Sequence, residues 1–88
     1  MKKLLLVDDD AFLRDMYAIK FGEADFEVSI ADTAEHALAQ IGATPDLDVI
    51  LVDMVMPGMT GVELIKEVKE TVPDLSALMI VLSNQGQE

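Results

Sequence analysis

Two kinds of hydrophobic pattern alternate along the chain. Leu4-Leu5-Leu6-Val7, Val49-Ile50-Leu51-Val52 and Ala77-Leu78-Met79-Ile80-Val81-Leu82 are solid apolar runs, and each stops at a polar residue: Asp8, Asp53 and Ser83. Short runs without alternation predict strands covered on both faces. A fourth run, Phe26-Glu27-Val28-Ser29-Ile30, alternates with period two and predicts a strand covered on one face or lying at a sheet edge.

Helical periodicity fills the intervals. From Ala11 onward Phe12, Leu13, Met16, Tyr17 and Ile19 fall on one face about 160° wide, with Lys20 inside it and Arg14, Asp15 and Ala18 pointing away. Asp9 or Asp10 is the expected N-cap, and Gly22 the expected end. That stripe is wider than packing on a sheet requires, so a further helix is expected beside it. Asp32-Thr33 caps a second helix with Ala34, Ala37, Leu38 and Ile41 inward, and Pro45 ends the link to the central strand. Thr60 caps a third, with Glu63 placed for a capping box; Val62, Leu64, Ile65 and Val68 face inward, while Glu63, Lys66, Glu67, Lys69 and Glu70 face outward. Pro73 blocks its extension. The order βαβαβαβ, with connections of helix length, predicts an α/β fold with a parallel sheet.

Composition narrows the function. Eighty-eight residues make one domain, read as 1–88, with a single core. Seventeen acidic residues against six basic ones give a net charge of −11, which opposes nucleic acid and anionic membrane and favours a cation or a basic partner. The chain is 51% hydrophobic with a mean hydropathy of +0.32, and no apolar run approaches a membrane span, so exposed apolar surface is expected. There is no cysteine, which is compatible with the cytoplasm, and the four-residue run after Lys2-Lys3 is too short for a targeting segment.

In an open parallel sheet, ligands bind beyond the carboxyl ends of the strands. Asp53 stands there, as a turn residue, a metal ligand or a nucleophile. If the first and third strands are neighbours, Asp9 and Asp53 converge. Carboxylates packed together repel unless a cation sits among them, and hard oxygen donors at an open rim suit Mg²⁺. Asp53 then becomes a plausible nucleophile toward phosphorus, with Ser83 Oγ a donor to a phosphoryl oxygen.

Val7-Asp8-Asp9, Asp53 followed by Met56-Pro57 and Gly61, and Ser83 at the end of an apolar strand resemble the receiver domain of two-component response regulators. The resemblance implies a flavodoxin-like sheet in the order 2-1-3-4-5 and a phosphoacceptor rather than an enzyme. It implies that Asp53 receives a phosphoryl group from a histidine kinase or phosphotransfer protein. It further implies that Asp9, Asp53 and the backbone carbonyl of Val55 ligate Mg²⁺, that Asp8 supports that shell, and that Ser83 hydrogen-bonds the phosphoryl group. Receiver domains continue through a helix, a strand ending in a lysine and a last helix. On this reading the chain is truncated after the fourth strand, and Lys2, Lys3, Lys20, Lys66 and Lys69 all miss the lysine's position, so phosphoryl transfer is expected to be impaired.

The loss of a last strand and helix predicts homo-oligomerisation through the fourth-strand edge or the first-helix face. The alternative is a receiver-derived fragment that folds as a self-associating unit without signalling. A Mg²⁺-dependent phosphatase with an Asp nucleophile is a weaker alternative, since Val55 stands where such enzymes carry a second acid. His36 is read as a surface histidine, Met54, Met56 and Met59 as core or loop residues, Tyr17 as packed, and Asp10 as a cap.

Overall fold

The computed structural model describes residues 1–56 and 58–82, without the side chains of residues 55 and 56. The elements are β1 (Lys2–Val7), α1 (Ala11–Glu23), β2 (Phe26–Ala31), α2 (Ala34–Ala43), β3 (Val49–Asp53), β4 (Val55–Met56), β5 (Met59–Thr60), α3 (Gly61–Thr71) and β6 (Leu78–Leu82). Four strands form a parallel sheet in the order β2-β1-β3-β6, and β4 with β5 forms an antiparallel pair. The flavodoxin-like parallel sheet expected from the sequence is thus present. The alternating strand is indeed an edge, and the two interior strands are two of the three that read as solid apolar runs.

Period two assigns alternate residues of β1 and β3 to opposite faces. On one face, Leu5, Val7, Ile50 and Val52 pack with Ala37 and Ile41 of α2 and Leu64 and Val68 of α3. On the other, Leu4, Leu6 and Leu51 meet Tyr17, Phe21, Phe26 and Val28. Leu4 through Val7 are at most 1% exposed, and each such side chain contributes about 1.5–3 kcal/mol relative to exposure. The caps of α2 and α3 match the sequence: Thr33 accepts from the His36 N–H, and Thr60 and Glu63 form the reciprocal capping box. At the far end of β1, Lys3 pairs with Asp46 at 2.8 Å and its backbone exchanges bonds with Asp48.

Four expectations need correction. The first helix passes through Gly22 to Glu23, and the chain reverses at Asp25, whose φ is 69°. Its orientation also differs: Phe12 and Ile19 are exposed at 75% and 64%, Lys20 is exposed, and Arg14 and Ala18 are half-buried. A stripe 160° wide leaves the inward direction underdetermined. The Tyr17–Phe21 and Phe21–Phe26 ring contacts, at 6.0–6.3 Å, turn the Tyr17 side of the helix to the sheet. In α3, Val62 is exposed rather than inward, and Gly61 is buried in its place. Finally, β6 is an edge among the described residues, as expected of the fourth strand, but it is not covered on both faces as its solid apolar run implied; Leu78 and Ile80 are exposed while Met79 packs on the α2–α3 core.

Candidate metal and phosphoacceptor site

Strand register brings the acids together. β1 and β3 are direct neighbours, with Val7 opposite Val52, so the residues that follow, Asp8 and Asp53, stand side by side at the carboxyl rim. Carboxylate oxygens of Asp8, Asp9 and Asp53 all lie within 4.8 Å of one another. Asp8 and Asp53 are buried, at 2% and 5% exposure, whereas Asp9 is open to solvent. The predicted convergence is therefore present.

The Asp8-Asp9-Asp10 run divides its labour. Asp8 is held by its backbone N–H donating to Ala31 O at 3.1 Å, by the Asp10 N–H donating to its Oδ1 at 2.9 Å, and by Arg14 Nη1 donating to its carbonyl oxygen at 3.1 Å. Asp10 is the N-cap of α1, accepting from the N–H groups of Phe12 and Leu13. It is spoken for, as expected of a cap. Burial pushes the Asp8 carboxyl up from its ordinary value, opposed by the Asp10 N–H, with the neighbouring Asp9 and Asp10 charges adding to the rise and Arg14 acting against it.

Asp53 ends β3 and is followed by β4. Val55, the expected carbonyl ligand, pairs with Thr60 two residues beyond Asp53. Gly58 turns the hairpin with φ 83°. Ser83 and Pro57 lie outside the described residues; Leu82, before Ser83, pairs with Asp53 in the β3–β6 register. His36 is exposed, as read from the sequence, and its Nδ1 lies 2.5 Å from Asp32 Oδ1. Met54 is half-buried beside the acids, and Met59 packs on the α2–α3 core.

Two residues of the site gained meaning only in three dimensions. Gly61 N–H donates to Met54 O at 2.8 Å, and a Cβ at Gly61 would stand 2.5 Å from the Asp53 carbonyl oxygen. A glycine in the first turn of a helix, where it costs helix stability, was the available sign of a close backbone approach. Arg14 was expected to point away, yet it lies against Asp8. Its sign was a cation four residues after the N-cap, one turn from three acids.

The donor set fits a small hard dication. With Mg–O bonds of about 2.0–2.1 Å, two ligands of one ion are at most ~4.2 Å apart, so small side-chain rotations suffice for these carboxylates. Asp9 leaves the cluster open to water and to an incoming group.

A parallel sheet with three carboxylates at its carboxyl rim and a nucleophile candidate at the end of β3 defines a class, and comparison agrees: residues 4–88 match the response regulator receiver domain, and the chain belongs to that family. Within it, the chain is similar to the chemotaxis protein CheY of Halobacterium salinarum, at 37% identity over 99% of this chain and 70% of that protein. It is also similar to the phosphate regulon transcriptional regulatory protein PhoB of Pseudomonas aeruginosa, at 35% identity over 99% of this chain and 38% of that one. Among solved structures, the response regulator TrrA of Thermotoga maritima in complex with Mg(2+)-BeF is 29% identical with a TM-score of 0.86, covering 98% of this chain and 72% of that one. The same regulator has been solved in complex with the histidine kinase ThkA. The chain spans 38% and 56% of the first curated relatives it matches. No helix among the described residues is long and apolar enough to cross a membrane.

Proposed function

We propose that this chain is a stoichiometric phosphoacceptor, not an enzyme, which receives a phosphoryl group on Asp53 from a histidine kinase or phosphotransfer protein in the cytoplasm. The observation that carries the reading is the meeting of Asp8, Asp9 and Asp53 at the carboxyl rim of β1 and β3. An Asp53 carboxylate oxygen attacks phosphorus, the P–N bond to the donor imidazole breaks, and its electron pair stays on the ring nitrogen. Asp9, Asp53 and the Val55 carbonyl would hold Mg²⁺, which when bound would supply positive charge to the phosphoryl oxygens of the transition state. Asp8 orients that shell from its buried, hydrogen-bonded position, and Ser83 donates to a phosphoryl oxygen. The Mg(2+)-BeF and kinase complexes of the Thermotoga regulator favour the same metal and the same class of donor.

Among the described residues, Lys2 and Lys3 lie at the opposite end of β1 from the acids, and Lys20, Lys66 and Lys69 are exposed on helices, so none of them faces a phosphoryl group on Asp53. The test is intact mass after incubation with acetyl phosphate and Mg²⁺, with Asp53→Asn alongside. A gain of one phosphoryl group that the variant lacks supports the assignment; its absence in folded protein makes the chain a receiver-derived structural unit.

The exposed Leu78 and Ile80 on the edge strand β6, with Phe12 and Ile19 on α1, favour self-association as a second property. Light scattering of the wild type against Ile80→Glu checks it: the wild type is an oligomer, and the variant shifts toward monomer.

A further inference from the structure

Arg14 does something that the proposed transfer chemistry does not yet use. It is the sole arginine of the chain. Its half-buried guanidinium donates to the carbonyl oxygen of Asp8, the residue just past the last β1–β2 pair, Val7 with Ala31. The Asp8 N–H completes that ladder through Ala31 O, but its carbonyl turns out of the ladder to meet a side chain from α1. One helix therefore grips the acid turn twice: Asp10 caps it, and Arg14, four residues on, reaches back over the same turn.

We infer that Arg14 is a positioning residue for the metal site: by fixing the Asp8 carbonyl it sets the peptide between Asp8 and Asp9, and with it the direction in which the exposed Asp9 carboxylate approaches Asp8 and Asp53. Asp9 has its neighbours to hold it but is open to solvent, so the peptide that carries it is the part of the cluster most in need of an anchor. A planar guanidinium suits this task, since it donates in a fixed direction while remaining charged. The inference rests on the reading of the acid cluster as a Mg²⁺ site.

Two accounts of Arg14 predict opposite signs. If Arg14 matters only as a positive charge beside three carboxylates, removing it relieves repulsion toward an incoming dication and tightens Mg²⁺ binding. If it positions the turn, removing it loosens binding, by about tenfold on the scale of outer-shell partners of metal ligands. The experiment is isothermal titration of Mg²⁺ into metal-free wild type, Arg14→Met, Arg14→Lys and Asp9→Asn, each shown folded in EDTA by circular dichroism. Expected are an approximately tenfold weaker Arg14→Met, an Arg14→Lys of intermediate affinity because it keeps a donor but not its fixed direction, and loss of binding in Asp9→Asn. Binding by Arg14→Met as tight as or tighter than wild type overturns the inference and leaves the Mg²⁺ site standing. Wild-type protein that does not bind Mg²⁺ overturns both. Should Arg14→Met be unfolded, Arg14→Gln, two heavy atoms too short to reach the Asp8 carbonyl, takes its place in the same titration with the same expected loss.

Discussion

The two faces of the sheet are built to different standards. Toward α2 and α3, ten buried residues from both helices, three strands and the connection before β3 form one continuous cluster. Toward α1, three buried leucines are covered by the rings of Tyr17, Phe21 and Phe26, no residue of α1 itself is fully buried, and Leu78 and Ile80 of β6 remain exposed. The difference teaches where the fold draws its stability and where it meets other surfaces. The covered face carries Leu64 and Val68 immediately after the Gly61 contact with Asp53, so the backbone of the phosphoacceptor candidate is braced by the better core. The Asp8-Asp9-Asp10 turn is braced by α1, from the thinner side.

The strongest test of that contrast is a pair of truncations. Leu64→Ala, at a site with no exposure, should cost about 2–5 kcal/mol, a large share of the stability of a domain this size. Ile80→Ala, on the open face, should cost well under half as much in the same urea titration. Equal losses would mean that self-association covers the α1 face as fully as the helices cover the other, and light scattering of the same sample would then show an oligomer. Gly61→Ala comes next. The 2.5 Å approach of the new Cβ to the Asp53 carbonyl forces a backbone shift worth about 1–3 kcal/mol, and phosphorylation by acetyl phosphate should slow more than stability alone explains.

The smallest effect belongs to the end of the sheet away from the acids. Lys3 holds the exposed Asp46 carboxyl below its ordinary value of 3.8. A depressed carboxyl adds stability above the unfolded value and loses it as pH falls through the folded one. Asp46→Asn should therefore lower the melting temperature slightly at pH 7, and the difference from wild type should close as acid protonates the folded carboxyl. A loss larger than that of Ile80→Ala would rank the pole of the sheet above its open face and break the contrast.

The sequence carried the strands, the caps of α2 and α3 and the meeting of Asp8, Asp9 and Asp53, because each depends on local pattern plus a single neighbour relation between β1 and β3. It failed where two packings satisfy one pattern. The apolar stripe of α1 allowed Phe12 and Ile19 to be turned inward, and the aromatic contacts of Tyr17 and Phe21 decided otherwise. Val62 lost its inward place to Gly61 because backbone approach to Asp53 left no room for a side chain there. The two-residue strands β4 and β5 are too short for any periodicity to register. Arg14 read as a solvated charge, since nothing in spacing alone says that the Asp8 carbonyl leaves the ladder.

The strand order has a consequence in time. Asp8 and Asp9 follow β1 and Asp53 ends β3, and both strands are hydrogen-bonded on two sides while β2 and β6 are bonded on one. Amides at the margins of such a sheet exchange with solvent through small, frequent openings, whereas those of inner strands wait for rarer and larger ones. The backbone amides of Leu4 to Val7 and Ile50 to Val52 should thus be the slowest to take up deuterium. The three carboxylates hang from the slowest clock in the molecule, and they stay gathered through fluctuations that repeatedly loosen its borders.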